Sequence, residues 1–141
     1  MKNIYSICLL LCFLTLTNCS KYLLKKYDKR IVGTWRITDV DRYDLGGNID
    51  NLPLTDGIFN FYGDGSLNYV NSANVSFRGN WDIVKKTIDD QIVHGLTITA
   101  VNYTTMEALS EYYDDMNFIS TNHFKAKIIS GFHTYVTSFR R

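Results

Sequence analysis

Residues 75–83 alternate between apolar and polar side chains, and this pattern constrains the fold more than any other feature of the sequence. A period of two is that of a β-strand, and it indicates an antiparallel strand with one buried face and one solvent-facing side. Gly79 falls on the apolar face, where it leaves room for Trp81 or marks a bend. The other apolar members of that face are Val75, Phe77 and Ile83.

Further strands are predicted on both sides of this segment. Residues 31–43 predict a first long strand with Trp35 and Ile37 pointing inward. Residues 58–71 predict a hairpin around Gly63-Asp64-Gly65-Ser66, because glycines in such a turn can adopt positive φ. Strands are also predicted at residues 92–102, 116–121, 124–129 and 134–139, with a polar hairpin loop at 85–90.

Residues 104–115 break the period of two. Met106, Leu109 and Tyr113 lie at helical spacing there, so this region predicts a short helix or a structured loop.

These elements predict a single all-β domain of about eight strands with no helical crossovers. Sequential antiparallel strands of this number close readily into a small up-and-down β-barrel, and a β-sandwich is the alternative. The aromatic content of 14% and the single proline, Pro53, suit a fold with many packed strand residues.

The first nineteen residues have the pattern of a secretion signal. Lys2 is their only charged residue, and the uncharged run at residues 4–16 is shorter than the roughly 20 residues that cross a bilayer. Leu16-Thr17-Asn18-Cys19 resembles the lipobox of bacterial lipoproteins, which implies removal of residues 1–18 and acylation of Cys19. An ordinary secretory signal followed by an incidental cysteine is the alternative.

Cysteine and charge usage agree with this interpretation. All three cysteines lie at or before Cys19, so the mature domain needs no disulfide chemistry. Residues 19–30 follow as a lipidated, basic tether, and residues 31–141 form the barrel domain. Without Lys2, 14 basic side chains balance 14 acidic ones, so no nucleic-acid partner is expected.

The lysines after Cys19 bear on where the protein is anchored. Some bacterial lipoproteins that are exported to the cell surface carry acidic residues just after their cysteine. The resemblance therefore favours an outer-membrane anchor that faces the periplasm, with surface exposure as the alternative.

Four motifs resemble the bacterial lipocalin-like lipoproteins, which are β-barrels of the calycin type. They are Gly33-Thr34-Trp35 after a helical turn at residues 27–32, Gly63-Asp64-Gly65, Gly79-Asn80-Trp81 and the strand at residues 135–140. In the lipocalins a basic side chain at the end of the last strand packs over the first tryptophan. The resemblance thus implies that Arg140, or else Arg141, covers Trp35 beside Gly33 and closes the base of the barrel.

Two functions follow from such a barrel. The first is binding of a small hydrophobic or amphipathic ligand inside it, because eight strands enclose just enough space for one small molecule. The candidate ligand-binding residues are Trp35, Phe59, Phe61, Tyr69, Phe77, Trp81 and Tyr135. The second is a filled barrel that acts as an interaction module for an envelope protein, through loops at residues 44–55 and 104–115.

Catalytic chemistry has little support in the sequence. His94, His123 and His133 lack the spacing of metal ligands, and the mature domain carries no nucleophile motif. The paired acids Asp89-Asp90 and Asp114-Asp115 are typical of solvated loops. We therefore expect neither a metal, a cofactor nor an enzymatic activity.

Overall fold

The computed structural model describes residues 26–43 and 52–141, which form one short helix and nine strands. The signal segment, Cys19, most of the tether and residues 44–51 lie outside the described residues. No helix in the described ranges is long and apolar enough to cross a membrane. The elements are α1 (Tyr27–Ile31), β1 (Gly33–Tyr43), β2 (Ile58–Phe61), β3 (Ser66–Val70), β4 (Ser76–Ile88), β5 (Gln91–Asn102), β6 (Glu107–Tyr113), β7 (Asp115–Ser120), β8 (His123–Ser130) and β9 (His133–Arg140).

All nine strands belong to one antiparallel sheet in the order β6-β5-β4-β3-β2-β1-β9-β8-β7. The predicted all-β class, the hairpin at residues 58–71 and the helical turn before Gly33 are confirmed. Trp35 and Ile37 point inward from β1, as predicted.

The prediction of a helix or loop at residues 104–115 was wrong. Residues 107–113 form strand β6, which pairs with β5 from Asn102↔Glu107 to Leu96↔Tyr113. The helical spacing of apolar residues is overridden here because the edge of β5 needs hydrogen-bonding partners. The sheet consequently has nine strands and not eight.

The hairpin loop predicted at residues 85–90 is much shorter than expected. β4 continues to Ile88 and pairs with β5 as far as Gln91. Only Asp89 and Asp90 form the turn, with φ of 48° and 61°. Two consecutive residues with positive φ are typical of a tight hairpin turn, which aspartate tolerates.

Gly79 is required by the close approach of β4 to β5. A Cβ atom at this position would overlap the carbonyl oxygen of Thr99 and lie 2.6 Å from the Cα of Ala100. The glycine therefore makes room for the neighbouring backbone and not for Trp81.

The sheet curls so that its inner face forms the core. Tyr113 on β6 and Phe139 on β9 are far apart in the strand order, yet their ring centroids are 5.9 Å apart. β6 and β7 stand at the two ends of the order and are joined through Asp114 alone. Among the described strands no pairing links β6 to β7, so the sheet is not closed by a strand ladder.

Strand direction defines two ends of the sheet. α1 and the start of β1 lie at one end, here called the proximal end. Because the strands alternate in direction, the end of β1 and the β5–β6 and β8–β9 turns lie at the opposite, distal end.

Candidate functional site

The inner face of the sheet is lined by the aromatic residues that the sequence predicts to bind a ligand. Each predicted ligand-binding residue is buried, and the most exposed of the seven is Trp81, with 8% of its surface accessible. They occupy five strands, β1, β2, β3, β4 and β9: Trp35, Phe59, Phe61, Tyr69, Phe77, Trp81 and Tyr135.

These side chains contact one another and fill the interior. The ring of Phe59 lies 4.5 Å from Tyr69, 5.9 Å from Phe61 and 5.7 Å from Phe139. Phe124 stacks on Phe139 at 4.4 Å. Such ring separations are those of packed aromatic pairs, so the rings occupy the volume that an internal ligand would need.

The first tryptophan has a cationic partner, which is Arg141. Its guanidinium carbon lies 4.4 Å from the ring centroid of Trp35, and its Nη2 donates to the carbonyl oxygens of Arg30 (2.9 Å) and Val32 (2.7 Å). Arg140 is not over Trp35: it is exposed on the outer face, opposite Arg36. The alternation of β9 explains this, because Phe139 points inward and Arg140 must then point outward.

The same contacts fix the end of α1. Trp35 Nε1 donates to the carbonyl oxygen of Ile31 at 2.6 Å, so two side chains satisfy carbonyls that the helix leaves unpaired. Gly33 begins β1 with φ of 128°, a conformation that side-chain-bearing residues rarely adopt. Helix, first strand and last strand therefore meet around the buried indole of Trp35.

α1 also covers the proximal end of the interior. Tyr27 stacks on His94 at 3.8 Å and contacts the ring of Phe118 at 5.3 Å. The guanidinium of Arg30 lies 4.0 Å from the centroid of Phe118. Burial and the charge of Lys85 lower the pKa of His94, while Asp115 acts in the opposite direction.

One carboxyl group points into the core, and sequence reasoning missed it. Glu111 on β6 is the register partner of Ile98, which is fully buried. Its Oε1 accepts from the backbone N–H of Tyr112, whereas Oε2 is buried with no hydrogen-bond partner in the part of the chain that the structure describes. Burial therefore raises the pKa of Glu111.

Of the ten large hydrophobic side chains that are exposed in the described ranges, five lie at the distal end, where they form what we call the distal rim. Phe132 is 98% exposed in the β8–β9 turn, and Met106 is 74% exposed in the β5–β6 turn. Tyr43 and Ile129 both lie beside Thr134 in the register of β1, β9 and β8. The rim consists of Tyr43, Tyr103, Met106, Ile129 and Phe132.

The β5–β6 turn of the rim is held in a fixed shape. Asn102 Oδ1 accepts from the backbone N–H of Thr104 (2.8 Å) and of Thr105 (3.1 Å). Met106 has φ of 57°, an unusual value for a residue with a long side chain. Residues held in such sparsely populated backbone regions cluster at active sites, ligand clamps and switch regions.

The three histidines lie on separate strands, β5, β8 and β9. Within residues 26–43 and 52–141, no group of three metal-ligating side chains comes together. Comparison with family models, curated proteins and solved structures found no match to this chain.

Proposed function

We propose that the chain is a lipid-anchored envelope protein whose strands form a filled, lipocalin-like barrel, and that it recognises a protein partner through its distal rim. The packed aromatic interior carries this proposal. Buried rings occupy the space of an internal ligand, and the large apolar side chains left for recognition lie on the outside.

Closure of the barrel is supported by the bend between β6 and β7. The backbone N–H of Asp114 donates to Lys127 O at 2.7 Å, and Asp114 Oδ2 accepts from the backbone N–H of Ile129 at 2.8 Å. β6 pairs with β5, and β7 pairs with β8. We infer that β6 and β7 are two halves of one bent strand that joins the ends of the sheet.

The position of the rim suits a membrane-tethered recognition module. In this proposal Cys19 is acylated, and it precedes α1 by eight residues. Extended chain spans at most roughly 3.5 Å per residue, so the tether keeps the proximal end near the membrane. The distal rim then faces away from the bilayer, where a periplasmic or surface partner is accessible.

Site-specific photo-crosslinking in the native envelope tests the rim. We expect a benzoylphenylalanine at Phe132 or Met106 to crosslink to one defined protein. The same probe at Ile92, an exposed isoleucine of the β4–β5 hairpin at the proximal end, is the matched control and should give no such product.

Two results would contradict the proposal. One is identical crosslinking at Ile92 and at the rim. The other is a small apolar molecule that co-purifies with the full chain in a one-to-one ratio, because it would require internal space that the aromatic side chains occupy.

A further inference from the structure

A second candidate site lies on the outer face of β1, away from the distal rim. It is an open groove of ≈ 650 Å³, a size within the roughly 300–1,000 Å³ of small-molecule sites. Besides Gly33 and the buried Trp35, its lining includes three arginines, an apolar side chain and two hydroxyls: Thr34, Arg36, Thr38, Ile58, Arg140 and Arg141.

Two of the arginines are neighbours on paired strands. Arg36 and Arg140 are register partners across β1 and β9, and both are exposed on the outer face. Side chains in this relation have Cβ atoms about 4.5–5.5 Å apart, and like charges so placed destabilise a sheet. In the described ranges neither guanidinium has an ion-pair partner, and Asp39 of β1 lies opposite Ser138, beyond the bulge at Thr38.

The positive charge of Arg140 also acts on the neighbouring strand, β8. His123 of β8 is the register partner of Arg140. Burial, followed by the charges of Arg140 and Lys125, lowers its pKa. The imidazole is therefore biased towards its neutral form, so it adds no positive charge of its own beside Arg140.

The hydroxyls of the groove are already engaged as donors. Thr34 Oγ1 donates to Asn60 Oδ1 at 2.6 Å, and Thr38 Oγ1 donates to Ser138 O at 3.3 Å. Donors for a ligand must therefore come from the guanidinium groups, each of which carries five N–H groups. Arg141 uses Nη2 for the carbonyls of Arg30 and Val32, which leaves its other nitrogens for the groove.

We propose that this groove binds a phosphate group through Arg36 and Arg140, with Arg141 at its edge. Two opposed guanidinium forks match the charge and the several acceptor oxygens of a phosphate, and binding would neutralise the repulsion between them. Ile58 provides apolar contact for the carbon atoms of an organic phosphate. The site rests on the groove alone and stands whether or not the distal rim binds a protein.

The phosphate could be free in solution or belong to a lipid headgroup near the proximal end. Calorimetric titration of the full chain with inorganic phosphate and with glycerophosphoglycerol, a soluble lipid headgroup, distinguishes these sources. If inorganic phosphate binds more tightly, the ligand of the groove is a soluble phosphate. If the diester binds more tightly, the ligand is a lipid headgroup. Acetate at equal ionic strength tests whether any anion suffices.

The decisive variant is Arg36→Gln/Arg140→Gln, compared with Lys85→Gln/Lys86→Gln, which removes two exposed charges from β4. We expect the arginine variant to weaken phosphate binding at least about tenfold and the lysine variant to stay within about twofold of the wild type. The arginine variant should remain folded, because it removes a repulsion between like charges.

Three outcomes would overturn the proposal. They are a wild-type chain that binds neither phosphate compound, a lysine variant that loses as much affinity as the arginine variant, and acetate binding as tight as phosphate binding. A thermal shift of the wild type on addition of phosphate, absent in the arginine variant, provides an independent readout by mass action.

Discussion

Arg141 lies over the indole ring of Trp35, with 4.4 Å between its guanidinium carbon and the ring centroid. The same arginine bonds two carbonyls at the end of α1, while the Trp35 indole N–H bonds a third. One contact between two residues therefore links the last residue of the chain, the first strand and the helix.

Replacing Arg141 should weaken this joint. Loss of the cation–π contact and of two charge-assisted hydrogen bonds predicts that Arg141→Ala lowers the free energy of unfolding by about 1–3 kcal/mol. Urea denaturation measures the change. The adjacent Arg140→Ala is the control and should shift stability by no more than about 0.5 kcal/mol, since Arg140 lies on the outer face, away from Trp35. Equal losses for the two variants would show that the contact with Trp35 is not stabilising.

A methyl group at Gly79 should disrupt the pairing of β4 with β5. Because a Cβ there overlaps the Thr99 carbonyl, we expect Gly79→Ala to cost about 2 kcal/mol or more. Gly63→Ala is the matched control, because no atom lies within 4 Å of the added methyl. It should be neutral or slightly stabilising. Similar denaturation midpoints for the two variants would contradict the close approach of these strands.

Glu111 should make stability depend on pH in a defined direction. Because its folded-state pKa is raised, the folded protein holds this proton more tightly, and stability falls as pH rises from the unfolded pKa, about 4.3, through the folded one. Glu111→Gln should remove that loss, so its stability relative to the wild type increases across this window. Denaturation of both proteins at a series of pH values measures this trend. A gain for Glu111→Gln that does not vary with pH would exclude titration as the cause.

The bend at Asp114 should protect the edge of β8. Removing the carboxylate that accepts from the Ile129 amide predicts that Asp114→Ala speeds hydrogen exchange of that amide by about tenfold or more. Asp115→Ala removes a carboxylate whose hydrogen bonds to Asn117 are exposed, and it should leave the Ile129 amide unaffected. Unchanged exchange in Asp114→Ala would argue against closure at this bend.

The sequence predicted the strands wherever alternation and turn glycines agreed. The segment around Trp81 and the hairpin at residues 58–71 are such cases, because each local preference also suits the sheet. Strand β6 was not predicted because Met106, Leu109 and Tyr113 are spaced as they would be on one face of a helix. Only the unpaired edge of β5, which is a tertiary constraint, decides between helix and strand there.

The candidate sites were less accessible from sequence than the strands. Strand alternation alone could have predicted Arg141 as the partner of Trp35. If Phe139 points inward, Arg140 points outward and Arg141 points inward again. By contrast, the pairing of Arg36 with Arg140 depends on the register of strands from opposite ends of the chain. The exposure of Phe132 could not be predicted either, because the sequence of a turn does not show whether its aromatic side chain joins the core.

The most direct test of the filled interior is benzene binding followed by NMR of the aromatic side chains. In the wild type, benzene should leave the ring signals of Tyr69 and Phe139 unchanged, because Phe59 packs against both. Phe59→Ala should lose about 3–5 kcal/mol of stability and open a cavity in which benzene shifts those signals. Saturable shifts of the same signals in the wild-type protein would contradict the account, because they would reveal an internal ligand site.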